Sequence, residues 1–376
     1  MTDTATAADR TILAADVLLD TPSMLVDETL MEQNISEMQA LANSFGAALR
    51  PHVKTHKTPQ IALRQISAGA RGITCAKLGE AEVMADAGVE DILMAYPVVT
   101  DLKINRLLAL MERVRMIVAL DSTDAAEALS AAMSCNDRTL EIYIEVDTGQ
   151  HRAGQPAGED AFRMAVDVAR MPGLRVIGVM THEGQTHTLA ADKIAEAARD
   201  AGTKLVDTAE RIRRAGIPIT EVSVGSTPSS MHTPSVGGIT EMRPGTYVFR
   251  DTTGFAYGIY GPDRCAARVL ATVVSHPAPD RMIVDAGSKT LALDMSHGHP
   301  GHGYIVGHPA GVIERLSEEH GVVRIGDDDP GFAIRDRLEI IPNHICPSVN
   351  LFNELTILED GRVIDKWPIA ARGKIQ

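Results

Sequence analysis

The sequence predicts an α/β protein in which a TIM-type (β/α)8 barrel precedes an all-β domain. Between about residues 21 and 248, short apolar runs alternate with segments of helical periodicity, and about eight such pairs can be counted. After about residue 251 the helical periodicity fades and β-rich runs follow one another. Aromatic residues make up only 3% of the chain, so we expect an aliphatic core of the kind found around buried parallel strands.

Each predicted barrel strand is a short run of mainly apolar residues. Seven runs cover residues 47–54, 72–76, 91–95, 114–120, 141–146, 176–181 and 221–225, and the eighth is the segment ending at 246–249. Apolar residues at helical spacing mark the segments between the runs, among them 59–70, 78–89 and 191–216. The eighth strand is the weakest of the set, so a doubly wound parallel sheet is the alternative fold.

The predicted domain boundaries follow this change in pattern. Residues 1–22 are expected to join the β-domain, residues 23–250 to form the barrel, and residues 251–376 to form the β-domain. A strand from within residues 12–27 is the candidate partner for the β-domain. The turn at Asp360 and Gly361 lies between two alternating runs and predicts a hairpin.

Composition limits the partners and the compartment that we expect. The net charge of −14 argues against nucleic acid and anionic membranes as partners. The four cysteines are far apart in the sequence, which fits a reducing compartment better than a disulfide framework. No apolar run approaches the roughly 18 residues of a membrane span, and the first residues lack a signal-peptide pattern. These features predict a cytoplasmic protein.

The most informative stretch is RPHVKTHK, at residues 50–57. Lys54 ends the first predicted strand, and histidines and a second lysine flank it. Cationic neighbours favour the neutral form of an amine, which can then attack a carbonyl carbon. In barrels of this type, catalytic groups stand at the carboxyl ends of the strands. The motif therefore predicts a nucleophilic lysine, with a solvated basic loop as the alternative.

Hydroxyl groups follow the last two predicted barrel strands. The turn GSTPSS carries Ser226 and Thr227, whose hydroxyls and amides could hold a phosphate group, and Tyr247 could add a third hydroxyl. With a lysine on the first strand, this set suits an aldehyde cofactor that bears a phosphate. Arg152, after the fifth strand, could tune such a cofactor through its phenolic oxygen. An ordinary turn and a surface ion pair are the alternatives for these residues.

The β-domain contains a second chemical signal, in the segment IIPNHICPSVN. His344 and Cys346 are two residues apart, and side chains at this spacing share one side of an extended segment. Imidazole and thiolate together suit Zn²⁺, and so few protein ligands imply a site open to water or substrate. A partly buried histidine beside a core cysteine is the alternative.

Taken together, the motifs resemble the fold-type III pyridoxal phosphate (PLP) family of D-serine dehydratase, D-threo-3-hydroxyaspartate dehydratase and D-threonine aldolase, whose barrel is shared with alanine racemase. The segments RPHVKTHK, EVDTGQHRAG, SVGSTP, EMRPGTYVF and PNHICP carry the resemblance, which spans nearly the whole chain. It implies an alanine racemase-like fold, PLP as cofactor, a divalent metal and a homodimer. Zn²⁺ is the expected metal, with Mn²⁺ or Mg²⁺ expected for an aldolase.

The resemblance also implies which residues form the site. The implied PLP-binding residues are Lys54, Arg152, Ser226, Thr227, Gly245 and Tyr247, the metal ligands are His344 and Cys346, and the catalytic residues are Lys54, His182 and His187. Lys54 would bond covalently to the PLP aldehyde, and the metal would lie beside the substrate's β-hydroxyl group.

The implied reaction is a lyase reaction on β-hydroxy D-amino acids. The His-x-Cys pair and SVGSTP favour a dehydratase, which gives a keto acid and ammonia. ICPSVNL, the WPIAARG tail and a histidine at position 187 favour the alternative, a D-threonine aldolase-type enzyme that gives glycine and an aldehyde. A metal-free amino-acid racemase, a non-catalytic PLP carrier and a metal-only hydrolase are the alternatives from other classes.

Overall fold

The computed structural model describes residues 10–296, 298–325 and 332–376, which form two compact units. The barrel unit comprises Glu37–Lys54, Pro59–Gly245 and Gly373–Gln376, and the sheet unit comprises residues 10–36, 55–58 and the described part of Thr246–Arg372. The chain therefore leaves the barrel unit directly after Lys54 and returns to it at Pro59.

The barrel unit is built on eight parallel strands. In sheet order these are Ala48–Leu49, Glu241–Met242, Glu221–Val224, Leu174–Met180, Leu140–Asp147, Arg115–Leu120, Asp91–Met94 and Ile73–Cys75. A parallel bridge between His52 and Thr74 joins the two ends of this series. A short extra strand, Gln155–Pro156, pairs beside the fifth barrel strand. The closed series of parallel strands confirms the predicted barrel.

Helices alternate with the barrel strands along the chain. They are Glu28–Ser44, Pro59–Ser67, Leu78–Asp86, Asp101–Met111, Thr123–Cys135, Glu159–Ala169 and Ala191–Arg214. The longest, Ala191–Arg214, buries Ile194, Ala198, Ala201 and Leu205 at three- and four-residue spacing, which keeps them on one face. Its last turn carries three arginines, whose charge complements the carboxyl end of the helix dipole.

The eighth barrel strand is Glu241–Met242, earlier in the chain than the sequence placed its end. The predicted end of the strand, Thr246–Val248, is instead a 3-10 turn. Pro244 explains the early stop, because proline has no N–H to continue the ladder. Its carbonyl oxygen still accepts a hydrogen bond from His52 N, at 3.0 Å.

The sheet unit contains a nine-stranded, mainly antiparallel sheet. Its strands are Ser23–Asp27, Ala267–Ala278, Arg281–Val284, Tyr304–Ile305, Val312–Leu316, Gly321–Arg324, Arg337–Ile341, Glu354–Glu359 and Arg362–Pro368. Short helices cover Thr252–Ala256, Ser288–Leu291 and Ile345–Val349, and 3-10 turns in the chain cover Val53–Thr55, Gly184–Thr188, Thr233–Ser235, Thr246–Val248 and Pro262–Arg264. This sheet is the β-rich part that the sequence predicted.

The strand expected from the amino-terminal region is Ser23–Asp27. It lies between Ala267–Ala278, to which it is antiparallel, and Glu354–Glu359, to which it is parallel. Its three middle residues are all buried, as a central strand requires. The sequence analysis began the barrel at residue 23, whereas these five residues belong to the sheet unit.

The predicted hairpin is confirmed at Asp360 and Gly361. Glu354–Glu359 and Arg362–Pro368 pair in antiparallel register around these two residues. Both turn residues have positive φ, +47° and +76°, as a two-residue hairpin turn of this type requires. Within the described part of the chain, no helix combines the length and the apolar character needed to cross a membrane.

A buried ion pair crosses the barrel interior. Arg50 is 0% exposed, and it donates to Glu241 at 2.7 Å through Nε and to Asp91 at 2.5 Å through Nη1. Burial raises the pKa of Glu241, but the charge and hydrogen bond of Arg50, together with Ser223 and Arg243, outweigh burial and the net shift is downward. Gly72 leaves space for this contact, because a Cβ there would meet Arg50 Nη1 at 2.7 Å.

We expect Glu241→Gln to destabilise the protein strongly, because it leaves the Arg50 charge buried without its main partner. Removing one member of a buried pair typically costs about 3–5 kcal/mol. The matched control is Arg113→Met, which breaks an exposed ion pair with Asp86 and should cost less than about 1 kcal/mol. Urea unfolding measures both, and equal small losses in the two variants would contradict the expectation.

Candidate active site

Lys54 lies beyond the carboxyl end of the first barrel strand, in a 3-10 turn, whereas the sequence made it the last residue of that strand. Two elements fix this segment: the bridge between His52 and Thr74, and the 3-10 turn Val53–Thr55. The backbone N–H of Lys54 donates to His52 Nδ1 at 3.4 Å. The lysine side chain is half-buried, so the amine stands at the rim of the barrel.

His56 and Lys57, which the sequence analysis grouped around Lys54, belong to the sheet unit. His56 is buried, accepts a hydrogen bond from Thr58 N at 3.1 Å, and meets the Phe249 ring edge-on. Lys57 has a φ of +51°, and its carbonyl oxygen accepts from Ala371 N at 3.0 Å. Both residues therefore have structural contacts of their own.

His182 follows the sixth barrel strand and is held as a neutral imidazole. Burial, and then the charges of Lys54 and Arg152, lower the pKa of His182 to about 3. His182 Nδ1 lies 2.5 Å from the carbonyl oxygen of Gly225. A carbonyl oxygen can only accept, so Nδ1 carries the proton and Nε2 keeps its lone pair. Because the charges of Lys54 and Arg152 both lower the pKa of His182, the three residues lie close to one another at one end of the barrel.

His187 joins the same cluster from the 3-10 turn Gly184–Thr188. Its Nε2 atom lies 3.1 Å from Ser226 Oγ, and its ring centroid lies 6.3 Å from that of His182. The turn therefore brings the second candidate base to the first residue of the predicted phosphate-binding turn.

Thr227 supplies the observation that fits a phosphate group. Its Oγ1 atom is buried and has no hydrogen-bond partner among the residues that the structure describes. The turn around it is closed by Ser230, whose N–H and hydroxyl both donate to the Thr227 carbonyl oxygen, at 3.2 and 2.7 Å. Buried hydroxyls normally find a partner, so an acceptor such as a phosphate oxygen fits this position.

Arg152 lies in the loop after the fifth barrel strand, and its side chain is 53% exposed. Its Nη2 atom is 3.8 Å from Glu145 Oε1. Burial raises the pKa of Glu145, and the Arg152 charge only partly opposes this. Arg152 is therefore a half-exposed cation whose guanidinium can donate to a further polar partner.

The remaining predicted phosphate residues fall in different units. Gly245 is half-buried at the end of the barrel unit. Tyr247 is only 2% exposed and lies in the 3-10 turn Thr246–Val248 of the sheet unit.

The predicted metal ligands lie around the start of the helix Ile345–Val349 in the sheet unit. His344 is extended and caps the helix, whereas Cys346 lies in its first turn, so the segment is not extended throughout as the sequence predicted. The buried Asp251 carboxylate explains the helix start, because it accepts from Ile345 N at 3.1 Å. Pro347, in the first turn, is compatible with a helix there.

His344 and Cys346 are nevertheless side by side. Burial lowers the pKa of His344, but its contact with Cys346 and the nearby carboxylates outweigh burial and raise that pKa to about 10. His344 Nδ1 lies 3.2 Å from Asp294 Oδ1, and Cys346 Sγ lies 3.2 Å from Thr55 Oγ1. The sequence analysis missed Asp294, because it is 50 positions from His344 and no spacing links the two.

The donor set suits a borderline-soft divalent cation. Imidazole and thiolate are the pair that zinc prefers, and a carboxylate on the far ring nitrogen is a common support for a metal-bound histidine. Across the described ranges, no group of three or more His, Cys, Asp and Glu side chains is arranged to hold a metal ion. The pair thus fits an open site and does not fit a closed structural one.

Comparisons with known proteins show the family to which the chain belongs. Residues 26–253 match the family described as alanine racemase, N-terminal domain, and residues 266–358 match a serine dehydratase domain family. A D-threonine aldolase of an Arthrobacter species is 36% identical, with 94% of this chain and 93% of that protein covered. A D-threo-3-hydroxyaspartate dehydratase of Delftia is 34% identical, with 93% and 97% covered.

Solved structures show the same likeness. The crystal structure of D-threonine aldolase from Filomicrobium marinum has a TM-score of 0.87 and 33% identity, covering 94% of this chain and 95% of that one. A D-threo-3-hydroxyaspartate dehydratase, solved as a cysteine-to-alanine mutant in the metal-free form, has a TM-score of 0.85 and 34% identity, covering 93% and 97%.

We expect His182 to stay neutral, with its proton on Nδ1, from pH 8 down to about pH 4, because its pKa is lowered to about 3. Its ring ¹⁵N shifts should be constant over that range, while a reference histidine peptide titrates near pH 6.5. The unfolded chain takes up this proton near pH 6.5, so the stability that neutral His182 contributes above that pH is lost as pH falls toward 3. A midpoint between pH 6 and 7 would contradict the assignment.

Proposed function

Since the chain belongs to the family that carries an alanine racemase N-terminal domain, we propose that it is a PLP- and metal-dependent lyase acting on β-hydroxy D-amino acids. A dehydratase that releases a keto acid and ammonia is the first form of the proposal. The observation that carries it is the cluster at the barrel rim: His182 bonds to the Gly225 carbonyl oxygen, His187 lies 3.1 Å from Ser226 Oγ, and the charges of Lys54 and Arg152 lower the pKa of His182. A lysine can bond to an aldehyde cofactor, and a cation can bind its anionic oxygens.

The barrel unit would hold PLP through named contacts. Lys54 would bond to the aldehyde carbon, and Ser226, Thr227 and Gly245 would bind the phosphate. The buried, unpartnered hydroxyl of Thr227 supports this, since it can donate to a phosphate oxygen and has no partner among the described residues. Arg152 would bind the phenolic oxygen of the cofactor with its exposed face.

When bound, PLP supplies an electron sink for the bonds at Cα, and the metal supplies a Lewis acid for the β-oxygen. Efficient general bases have a pKa near the operating pH. With its pKa near 3, His182 is suited to accept a hydrogen bond at Nε2 and is a weak acceptor of the Cα proton. Lys54 Nζ and His187 Nε2 are then the groups that move protons in this proposal.

His344 and Cys346 would hold the metal, with Zn²⁺ the best match to a thiolate and an imidazole. Asp294, 3.2 Å from His344 Nδ1, would keep the proton on that nitrogen and leave Nε2 for the metal. A related dehydratase has been solved as a cysteine-to-alanine mutant in the metal-free form, so a metal is a feature of that relative.

A D-threonine aldolase-type reaction is the second candidate. The 36% identity to the Arthrobacter aldolase favours it, as does His187 beside Ser226. Cleavage of the Cα–Cβ bond requires a base that takes the proton of the β-hydroxyl group, and His187 can serve as that base. Mn²⁺ or Mg²⁺ would then be the metal to test beside Zn²⁺. A homodimer in the cytoplasm completes the proposal, since two-fold pairing is the commonest closed assembly.

The deciding assay incubates the protein with D-serine, D-threonine and D-threo-3-hydroxyaspartate, and measures ammonia, keto acid, glycine and aldehyde separately. We expect ammonia and keto acid. Chelation or Cys346→Ala should lower turnover by about 100-fold or more, which corresponds to the several kcal/mol that a Lewis acid supplies. PLP content, read by absorbance, should not change.

The matched control is Cys135→Ala, because Cys135 is exposed and lies on a barrel-unit helix. It should keep full turnover. Glycine and aldehyde as products would favour the aldolase, and inversion at Cα without metal would favour a racemase. Wild-type turnover in Cys346→Ala with every substrate would show that the His344 and Cys346 pair is structural.

We further expect borohydride to fix PLP on Lys54, because this amine stands at the barrel rim within the charge cluster of Arg152 and His182. Peptide mapping after reduction should recover the cofactor on the peptide that contains Lys54. Lys57→Arg and Lys77→Arg serve as controls and should keep the label. A label on Lys57 or Lys77, or no label at all, would contradict the assignment.

A further inference from the structure

Glu183 is a buried carboxylate that none of the roles above uses. It follows His182 directly in the loop after the sixth barrel strand and is 0% exposed. Burial raises the pKa of Glu183. Its Oε2 atom accepts a hydrogen bond from Gly225 N at 3.0 Å, and Thr233 and the Arg243 charge are its other polar neighbours. A buried acidic group of this kind is expensive to keep, so its contact calls for an explanation.

Glu183 and His182 bond to different backbone groups of Gly225. The Gly225 N–H donates to Glu183, and the Gly225 carbonyl oxygen accepts from His182 Nδ1 at 2.5 Å. Two consecutive residues of one loop thus fix both peptide groups of a single glycine in the neighbouring loop. Fixing both peptide groups leaves Gly225 little freedom to rotate.

Gly225 is also the residue from which the predicted phosphate-binding turn starts. Ser226 and Thr227 follow it, so the direction in which their hydroxyls point depends on the two peptide planes that meet at Gly225. The Glu183 contact holds the plane before Gly225, and the His182 contact holds the plane after it. Space at Gly225 is tight as well, because a Cβ there would lie 3.1 Å from Arg243 Cβ and 3.2 Å from Arg243 Nη2. The start of the turn therefore packs against Arg243 and is hydrogen-bonded to Glu183 and His182.

We propose that Glu183 is a positioning residue: by holding the Gly225 amide, it fixes the Ser226 and Thr227 turn and the Nδ1–H tautomer of His182 as one unit. The role needs a hydrogen-bond acceptor at this position and not a negative charge. The first half of the inference rests on the proposed function, since it assigns a phosphate to the turn. The second half concerns the tautomer of His182 and does not depend on the proposed function.

The experiment compares Glu183→Gln, which keeps an acceptor oxygen and the side-chain volume, with Glu183→Leu, which removes the acceptor. Apo-protein is titrated with PLP by absorbance. We expect the dissociation constant to rise by about tenfold or more in Glu183→Leu, the effect of one lost hydrogen bond to a positioned group, and to change less than threefold in Glu183→Gln. In cofactor-free protein, ¹⁵N NMR should show a single Nδ1–H tautomer of His182 in wild type and Glu183→Gln, and mixed tautomers in Glu183→Leu.

The matched control is Thr208→Val. Thr208 Oγ1 is buried and accepts from Gly158 N at 3.0 Å, the same kind of side-chain-to-glycine contact away from the barrel rim. It should leave both the PLP affinity and the His182 tautomer unchanged, so that general destabilisation is separated from positioning. If Glu183→Leu does not fold, hydrogen exchange in Glu183→Gln replaces it: the Gly225 amide should keep wild-type protection.

Several outcomes overturn the inference. It is wrong if Glu183→Leu keeps both wild-type affinity and a single tautomer, if Glu183→Gln loses as much affinity as Glu183→Leu, or if the Gly225 amide of Glu183→Gln exchanges unprotected. A wild-type protein that binds no PLP, but whose His182 tautomer still depends on Glu183 as described, would refute the proposed function and leave the positioning role standing.

Discussion

The barrel unit depends on one buried ion pair, between Arg50 and Glu241. Arg50 comes from just after the first barrel strand and Glu241 from the eighth, while Asp91 adds a contact from the third. A guanidinium with no exposed surface is stable only where its charge is matched, so these strands must keep their relative positions. Lys54 follows Arg50 by four residues, and its place at the rim therefore depends on a charge fixed inside the barrel.

The same network continues toward the site. Glu241 Oε1 accepts from Ser223 Oγ at 2.6 Å, and Arg243 donates both to Ser223 and to the Thr181 carbonyl oxygen, the latter at 2.6 Å. Thr181 directly precedes His182, and Ser223 lies two residues before Gly225. The charges that hold the barrel together thus also fix the ends of the sixth and seventh strands, from which the candidate site is built.

The sequence was sufficient for features that depend on local pattern. Aliphatic runs at regular intervals predicted the barrel, and the hairpin at Asp360 and Gly361 followed from turn chemistry. Contacts between segments that are distant along the chain have no repeating pattern in the sequence. The buried acceptor at Glu183 and the carboxylate of Asp294 are set by tertiary packing, which a single sequence does not display. The roles of the predicted site residues themselves stay predictions until the assays are done.

Four buried carboxylates differ in the direction of their pKa shift. Glu241 has a lowered pKa because Arg50, Ser223 and Arg243 together outweigh burial, so its charge stabilises the fold at neutral pH. Glu145, Glu183 and Asp251 have raised pKa values because burial dominates, so each is under-compensated at neutral pH. These three are next to predicted site residues: Arg152, His182 and His344 respectively. The raised pKa values thus lie next to predicted site residues, where perturbed titratable groups are expected, whereas the lowered one belongs to the ion pair inside the barrel unit.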